Sequence, residues 1–415
     1  MSYKTWPIFV VIMLFPVLSL ALHNAGNICL FLLLIFSIVA AVTRFKPMQL
    51  SFAQVVKDYW PFHLAMVSQV IAVVLNQISS GDFAFKYYDS ALRIALFVPV
   101  FWILMAVPLD YIKKIQWAFL AGAFIALGKV YYLTQGGSIR PPNMGFLATI
   151  PFSAMALIFS AVIVVSIGWT ERQAKWINGL KIAAGLAGIY VTVLTQTRGS
   201  WVAIPFFITG VFFFAQSIRW RYRLIIGILA LAGLVLAGTY SSVVEDRVAA
   251  AKSDIALYVN GENEDTSVGV RLQLWEASWK LFAAHPVFGV GRENFKRELG
   301  ALSERKVITP LTASFSHSHN EILFNMAILG VFGLLGILAI YFVPAYYFAR
   351  ELRHSDRALR AAAGMGLSVC MGFFLMGLTD MMFFWNVTGG IYSMSLATFL
   401  VCVVKRKKEL ERIVS

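Results

Sequence analysis

Long apolar runs dominate this chain and recur along its length with mostly short polar stretches between them. A helix needs about 20 apolar residues to cross the roughly 30 Å hydrocarbon core of a bilayer, and the runs here have about that length. The composition agrees, since 59% of the residues are hydrophobic and 13% are charged, against about 45–50% and about 25% in soluble domains. We therefore exclude a soluble globular fold and predict an all-α polytopic membrane protein.

The chain accommodates about twelve membrane-spanning helices. The predicted spans are 6–22, 27–43, 60–77, 92–107, 116–134, 144–167, 178–196, 201–218, 223–240, 322–347, 361–379 and 388–404. A second apolar run follows the first after a turn at 23–26, so we interpret the first as a retained span and not as a cleaved signal. The three cysteines lie within apolar runs, and we expect no disulfide bond.

Basic residues concentrate in every second connection between the spans. The clusters lie at 44–46, 113–114, 172–175, 219–223, 350–360 and 405–408. Because cytoplasmic loops carry an excess of lysine and arginine, both termini are predicted to be cytoplasmic. The net charge of +14 follows from this orientation pattern, and we predict no nucleic-acid partner.

The same orientation divides the chain into three parts. Residues 1–240 form the first nine spans, and residues 322–415 form the last three with a basic cytoplasmic tail. Residues 241–321 are the only polar stretch long enough to fold by itself, and they are predicted to lie outside as a few short helices without a sheet. The chemistry of the protein is expected in or beside this loop.

Basic residues on the outer side are exceptional under this orientation and need an explanation. In the short outer segments they are Lys86, Arg93, Arg140 and Arg198. Arg198 stands at the outer mouth of two apolar helices, where it either clamps an anion or extends to the interface and pairs with a loop acid. Lys86 and Arg93 lie near Asp89 and are explained equally well by a local ion pair or by an anion contact.

Two arginines of the long loop are further candidates for binding an anion. Guanidinium groups suit phosphate because their fixed fork of donors engages its oxygens in pairs. Arg271 opens an amphipathic run that ends before 285–286, and Arg292 follows the turn at 289–291. For Arg292, a plain solvated position remains an equal alternative.

His319 is the outstanding histidine, because it lies where the long loop meets the apolar run beginning near Ile322. An imidazole there is able to act as a general base toward a hydroxyl, although interfacial histidines are more often structural. Asn320 either orients His319 or a sugar, or caps the following helix. His317 is a helper or a decoy.

The residues around His319 resemble the O-antigen ligase family. His319 and Asn320 are followed by nine residues, Gly330, two residues and Gly333, which matches the family pattern His-[Asn/Ser/Gln]-x9-Gly-x-x-Gly. The segment 197–201 resembles that family's arginine-containing segment after a membrane helix, and 271–275 with 286–291 resembles the conserved part of its large periplasmic loop. The large loop between the ninth and tenth spans agrees as well. From spacing alone, Gly330, Gly333 and Gly336 are predicted to serve close helix packing.

The resemblance implies a GT-C-like, metal-independent and inverting glycosyltransferase. The donor would be O-antigen linked to undecaprenyl diphosphate, and the acceptor a sugar hydroxyl of lipid A-core. His319 would be the catalytic base, and Arg198 and Arg271 would bind the diphosphate; Asn320, Arg292, Arg93, Lys86 and His317 are secondary candidates. The enzyme would lie in the bacterial inner membrane, among membrane lipids, with its active site on the periplasmic side.

No metal and no cofactor are predicted. The first outer turn contains no acid, and the acids at 262–265 have the pattern of a solvated turn. The activated linkage of the donor supplies the driving force, so the resemblance implies no soluble cofactor.

Other functions remain open at this stage. A protein O-oligosaccharyltransferase or an O-antigen polymerase would differ from a ligase in its acceptor. A lipid-linked glycan flippase would carry ionisable residues through several spans or show a repeat between halves, and neither is found. A non-enzymatic envelope scaffold would dispense with His319 and the arginines.

Overall fold

The fold is taken from a computed structural model that describes residues 5–170, 174–214, 219–240 and 242–414. Within these residues the regular elements are helices, apart from one isolated β-bridge between Asn143 and Ala148. The α-helices are α1 Trp6–Leu18, α2 Ala25–Val42, α3 Phe52–Asp58, α4 Trp60–Ser80, α5 Asp89–Ala95, α6 Phe97–Leu104, α7 Leu109–Ile112, α8 Ile115–Leu133, α9 Thr149–Val165, α10 Lys175–Leu194, α11 Arg198–Phe214, α12 Trp220–Tyr240, α13 Ser242–Val259, α14 Ser267–Ala284, α15 Phe295–Glu304, α16 Pro310–Ala313, α17 Glu321–Ala349, α18 Arg357–Gly377 and α19 Asn386–Val414.

Many of these helices have the length and composition of membrane spans, which confirms the predicted fold class. In the described part of the chain, eight helical stretches are long and apolar enough to cross a bilayer. They are Ala25–Val42, Trp60–Ser80, Phe85–Leu104, Leu109–Leu133, Lys175–Leu194, Glu321–Arg353, Arg357–Gly377 and Asn386–Ile413. Shorter apolar helices occupy Trp6–Leu18, Thr149–Val165 and Gly199–Gly210. Eleven of the twelve predicted spans each overlap a single helix, and the one at 223–240 falls on α12. The end of the span predicted at 201–218, residues 215–218, lies outside the described residues.

The span predicted at 92–107 is divided into α5 and α6 around Leu96. Pro99 explains the division, because it has no backbone N–H to donate to the carbonyl of Ala95 and its ring crowds that carbonyl. A hydropathy pattern does not reveal such a break, since the residues on both sides are apolar.

Two lysines lie within apolar helices and are held by backbone carbonyls. Lys129 of α8 donates to the carbonyls of Leu20 (3.0 Å) and Ala21 (3.1 Å), which follow the end of α1. Lys181 of α10 donates to the carbonyl of Ser166 (3.1 Å), which follows α9. The last carbonyls of a helix lack partners within it, so each ammonium group satisfies acceptors that would otherwise be unpaired in an apolar surrounding.

The long loop folds into short helices that pack against the membrane helices. Along α14 the apolar residues Leu274, Ala277 and Leu281 are buried in one cluster with Phe324 and Ile328 of α17. The described part of the loop is helical, as predicted, but α13 and α14 have 18 residues each and are longer than the short helices expected. The loop is therefore fastened to the helix that begins directly after His319.

Helix α17 is interrupted at Gly330, whose backbone has φ 62° and ψ −148°. The segment before α15 docks into this break: Val290 N–H donates to the carbonyl of Ala327 (3.0 Å) and Gly291 N–H to that of Ile328 (2.9 Å). Only glycine adopts such a conformation readily, and a Cβ at Gly330 would collide with the carbonyl of Val287.

The packing prediction for the glycines of α17 is confirmed at Gly336. A Cβ there would lie 3.2 Å from Gln69 Nε2 and 3.3 Å from Ser68 Oγ, both on α4. Gly330 is in close contact as well, but with the docked loop, and its conformation interrupts the helix that the sequence predicted to be continuous.

Candidate active site

His319 and Asp380 form the centre of the site. His319 immediately precedes the cap of α17, and Asp380 lies in the turn between α18 and α19. His319 Nδ1 is 3.0 Å from Asp380 Oδ1, and the two side chains are 18% and 8% exposed. His319 also has a positive φ of 52°, which is uncommon for a residue with a side chain and concentrates at functional sites.

The ionised state of Asp380 determines which ring nitrogen of His319 carries the proton. Burial raises the pKa of the Asp380 carboxyl, but the hydrogen bond and charge of His319, with His317 and the N–H of Met381, bring that pKa below its ordinary value. An ionised carboxylate only accepts hydrogen bonds. In the neutral imidazole, Nδ1 of His319 therefore carries the proton that is donated to Asp380, and Nε2 has a lone pair for an external proton.

His317 lies directly beside His319. The two ring centroids are 4.4 Å apart and nearly perpendicular, and the backbone N–H of His319 donates a long bond of 3.4 Å to His317 Nδ1. Burial lowers the pKa of His317 to about 4. The charges of His319 and Arg292 act in the same direction, whereas the charge of Asp380 opposes them. His317 is consequently neutral at pH 7 and belongs to the site.

Two residues that follow His319 hold the turn carrying Asp380. Asn320 caps α17, since its Oδ1 accepts from the N–H groups of Ile322 (3.1 Å) and Leu323 (3.0 Å). Its Nδ2 donates to the carbonyl of Leu378 at 3.1 Å. Of the roles left open by the sequence, the structure shows the cap, and the same side chain also holds the carbonyl of Leu378.

Glu321 holds the other end of the same turn. Its Oε2 accepts from the N–H groups of Met382 (2.5 Å) and Phe383 (2.8 Å), and only 2% of the residue is exposed. Residues 378–383, which we name the Asp380 turn, are therefore gripped on both sides of Asp380 by the residues adjacent to His319.

Arg292 lies against aromatic rings beside this turn. Its guanidinium carbon is 4.5 Å from the ring centroid of Phe384 and 5.8 Å from that of Tyr87. Burial lowers the pKa of Arg292, and Glu321 and Tyr87 oppose this effect. Arg292 also lines a cavity of about 50 Å³ that reaches Asn76 and Glu321, so it is not a fully solvated loop residue.

The start of α11 lies next to the Asp380 turn. A Cβ added to Gly199 would be 3.2 Å from Thr379 Oγ1, and the hydroxyl of Thr197 is 3.0 Å from that of Ser153. Arg198 lies between Thr197 and Gly199 in the sequence and is the first residue of α11. The backbone therefore brings Arg198 to the neighbourhood of Asp380, while the Arg198 side chain lies outside the described part of the structure.

The remaining predicted residues are placed as follows. Arg271 is half-buried near the start of α14, the helix packed on α17. Arg93 pairs with Asp89 at 3.0 Å, and Asp89 also accepts a hydrogen bond from Asn386. Lys86 lies over the ring of Tyr87 at 4.8 Å. Of the two explanations for Arg93, the structure therefore shows the local ion pair.

Among the described residues, His317, His319 and Asp380 are the group whose side chains are able to surround a metal ion, with ligand atoms within 4.8 Å of one another. Imidazole and carboxylate are common zinc ligands. Nδ1 of His319 and Oδ1 of Asp380 are, however, directly hydrogen-bonded. The absence of a metal requirement stays a prediction.

Asp380 and Glu321 were not singled out from the sequence, although a signal was present. Asp380 is the only acidic residue between 357 and 408, and Glu321 stands at the start of a long apolar run. Ionisable residues beside or within membrane helices are rare enough to mark functional positions. What the sequence does not reveal is that both act together with His319, because the Asp380 turn lies about sixty residues further along the chain.

The part of the chain that contains several of these candidate residues is similar to known proteins. A family model described as O-antigen ligase matches residues 182–338, which include Arg198, Arg271 and His319 but not Asp380. An uncharacterized protein of Haemophilus influenzae is 25% identical over 293 residues, covering 67% of this chain and 70% of that protein. The O-antigen ligase of Escherichia coli K12 is 24% identical over 251 residues, which span 59% of this chain and 56% of that enzyme. Residues 182–338 of this membrane protein are thus similar to the O-antigen ligase family.

Proposed function

We propose that this protein is an O-antigen ligase that transfers a glycan from a lipid diphosphate to a sugar hydroxyl of lipid A-core. The observation that carries the proposal is the His319–Asp380 pair, with Nδ1 held at 3.0 Å by a buried carboxylate. A general base needs a fixed tautomer and a second nitrogen that is free to accept a proton, and the bond of Nδ1 to Asp380 supports this role.

In the proposed reaction, His319 Nε2 takes the proton of the acceptor hydroxyl as its oxygen attacks the anomeric carbon. A new carbon–oxygen bond forms as the bond to the diphosphate breaks, so one displacement inverts the configuration. Asp380 keeps the imidazole in the required tautomer and stabilises its charged form after proton transfer. No metal ion takes part in these steps.

The leaving diphosphate carries the charge that grows in the transition state. Stabilising such charge with positioned cations is a large contribution to catalysis. We assign this task to Arg198, whose helix begins beside the Asp380 turn, and to Arg271 on the helix packed against α17. Arg292, whose guanidinium lies over the ring of Phe384 directly after the turn, supplies a further positive charge at the same side.

The protein would work in the bacterial inner membrane with its site on the periplasmic face. The donor would be undecaprenyl-diphosphate-linked O-antigen, and the acceptor would arrive as a second lipid, lipid A-core. The supporting facts are the apolar helices, the family match and the relative named O-antigen ligase.

The experiment that tests the proposal is O-antigen attachment in a ligase-deficient Gram-negative host with a matching core. We expect the native protein to restore the lipopolysaccharide ladder on a gel, and His319→Ala at equal membrane abundance to lose it. Removing a general base costs about 10²- to 10⁴-fold in rate. His23→Ala is the matched control, because His23 is exposed and lies between α1 and α2.

A ladder from His319→Ala would refute the assignment of the base. No ladder from either form would refute the acceptor or the reaction class. Purified enzyme assayed with and without a chelator tests the metal-independent chemistry, and a loss of activity on chelation that added metal restores would contradict it.

A further inference from the structure

A second polar cavity lies at the far end of α18 from His319. It has a volume of about 820 Å³ and opens among α7, α8, α10, α18 and α19. It is lined by Asp110, Lys113, Lys114, Gln116, Trp117, Trp169, Thr170, Ile177, Ala358 and Arg406. None of these residues takes part in the proposed reaction, and we name this space the basic cavity.

The basic cavity and the catalytic site lie at opposite ends of a membrane-spanning helix. Ala358 is in the first turn of α18, whereas the Asp380 turn follows its last residue, Gly377. A 21-residue helix is about 30 Å long, which equals the thickness of the hydrocarbon core. The two sites therefore face opposite membrane surfaces.

Positive charge predominates around the basic cavity. Lys113 and Lys114 are on its wall, and Arg357 lies against Gly168 next to it. Arg406 is neutralised by a two-pronged pair with Asp356, with distances of 3.1 and 2.8 Å.

The carboxylate of Asp110 lies on the same wall and opposes an anion. Glu409 also pairs with Arg406, at 3.1 Å. Among the described residues, Lys113, Lys114 and Arg357 outnumber Asp110 and this second acid, so positive charge is in excess.

The buried side chain of Lys181 lies behind the wall of the basic cavity. Gln116, on the wall, accepts from Lys181 Nζ at 2.5 Å through its Oε1, and Lys181 is fully buried. Gln116 Nε2 donates to the carbonyl of Lys113 at 3.1 Å. The amino group of Lys181 thus lies directly behind a side chain that faces the cavity.

Apolar and aromatic surfaces continue outward from the mouth of the cavity. Trp117 is 37% exposed, whereas Trp169 is almost fully buried. On α10, beside Ile177, Trp176 is 71% exposed and Leu180 is 36% exposed. Tryptophan marks the headgroup level of membranes, and exposed apolar residues next to it face acyl chains.

We propose that the basic cavity binds the phosphate headgroup of an anionic membrane lipid in the cytoplasmic leaflet, with the acyl chains along α10. The leaflet assignment rests on the orientation given under the proposed function. Lysines within a cavity between membrane helices provide the charge, and basic pockets of this kind on the cytoplasmic side are known to bind lipid phosphates. A volume of about 820 Å³ accommodates a headgroup with more than one phosphate.

The test counts bound lipid on the intact purified protein by native mass spectrometry after exchange into defined lipid. The probes are cardiolipin, phosphatidylglycerol, zwitterionic phosphatidylethanolamine and inorganic phosphate. We expect the native protein to retain the two anionic lipids at least about fivefold more than the zwitterionic one. The double variant Lys113→Gln/Lys114→Gln should lose this preference.

The control is Lys46→Gln/Lys57→Gln, which removes two lysines that do not line the cavity. It should retain the native preference. Equal retention of all lipids by the native protein, or an unchanged preference in the Lys113/Lys114 variant, would overturn the proposal. Displacement of the lipid by millimolar inorganic phosphate would overturn the choice of a lipid as occupant.

Ligase activity is not the readout, so this experiment and the His319 experiment fail independently. The O-antigen ladder of the Lys113→Gln/Lys114→Gln variant also reports whether it is folded. A restored ladder together with lost lipid preference is the expected combination.

Discussion

In the proposed reaction His319 acts as a base, which requires that one ring nitrogen is held so that the other is available for a proton. Asp380 holds Nδ1 of His319 by a hydrogen bond. Asp380→Asn replaces an acceptor by a group that also donates, which favours the wrong tautomer of the ring. We expect the rate to fall by between about 10²- and about 10⁴-fold while the substrate KM changes little. Steady-state kinetics of purified enzyme measure this, and Asp110→Asn at the other membrane face is the control. A variant with native kcat would show that the His319–Asp380 contact has no catalytic role.

His317 is expected to make stability depend on pH. The pKa of His317 is about 4 in the folded protein, against an ordinary value of 6.5. Between these pH values the unfolded chain therefore binds a proton at His317 that the folded chain does not bind. Stability therefore falls as the pH is lowered through this window. The thermal midpoint in detergent should decline less steeply for His317→Gln than for the native protein.

The charged groups facing His317 all contribute to this behaviour. His319 and Arg292 disfavour its protonation, and Asp380 favours it. His23→Gln is the control, since it removes an exposed histidine. Parallel slopes for the native protein and His317→Gln would contradict the assignment.

At the scale of elements, the junction between the long loop and α17 and the turn between α18 and α19 form one unit. Asn320 and Glu321 each bond to one end of the Asp380 turn. The residues next to the base thus set the position of its carboxylate partner. Catalytic geometry is shared between two segments that are distant in sequence.

Glu321→Leu removes the acceptor for Met382 and Phe383 while keeping a similar volume. We expect kcat to fall by about 10²-fold, because a displacement near 1 Å at a reacting group has that effect, and KM to change little. Glu321→Gln keeps one oxygen in place for both N–H groups, and it should retain activity within a few-fold. If Leu and Gln reduce kcat equally, Glu321 does not act through this turn; melting curves of both variants monitor folding.

Much of the helix order could be predicted from the sequence, because each span is a local run of apolar residues. Breaks were harder: Pro99 divides one span, and Gly330 interrupts another in a stretch that has the spacing of packing glycines. The break at Gly330 depends on docking of Val290 and Gly291, some forty residues upstream. His319 was found because a local motif contains it, whereas its partner Asp380 is 61 residues away and is brought there only by the packing of α17 and α18.

At the scale of the whole molecule, the helices separate two polar sites by a bilayer thickness. This arrangement predicts opposite accessibility of the loop and the tail. The native cysteines Cys29, Cys370 and Cys402 are buried, so single introduced cysteines are readable without removing them. Lys296→Cys in the loop should react with an impermeant maleimide added to spheroplasts, and Glu411→Cys in the tail should react only after permeabilisation. Reversed labelling would place the His319 site in the cytoplasm and refute the proposed orientation.

The docking of residues 286–291 into the break of α17 has a consequence for biosynthesis. The loop leaves the ribosome before α17 does, but its N–H groups bond to the carbonyls of Ala327 and Ile328. It is therefore unable to reach its final position until α17 has been made and inserted. The Asp380 turn follows later still, so a nascent chain that ends before this turn contains His319 without Asp380. In the proposed reaction, the site is complete only when α18 and the Asp380 turn are in place, so a partly synthesised chain is expected to be inactive.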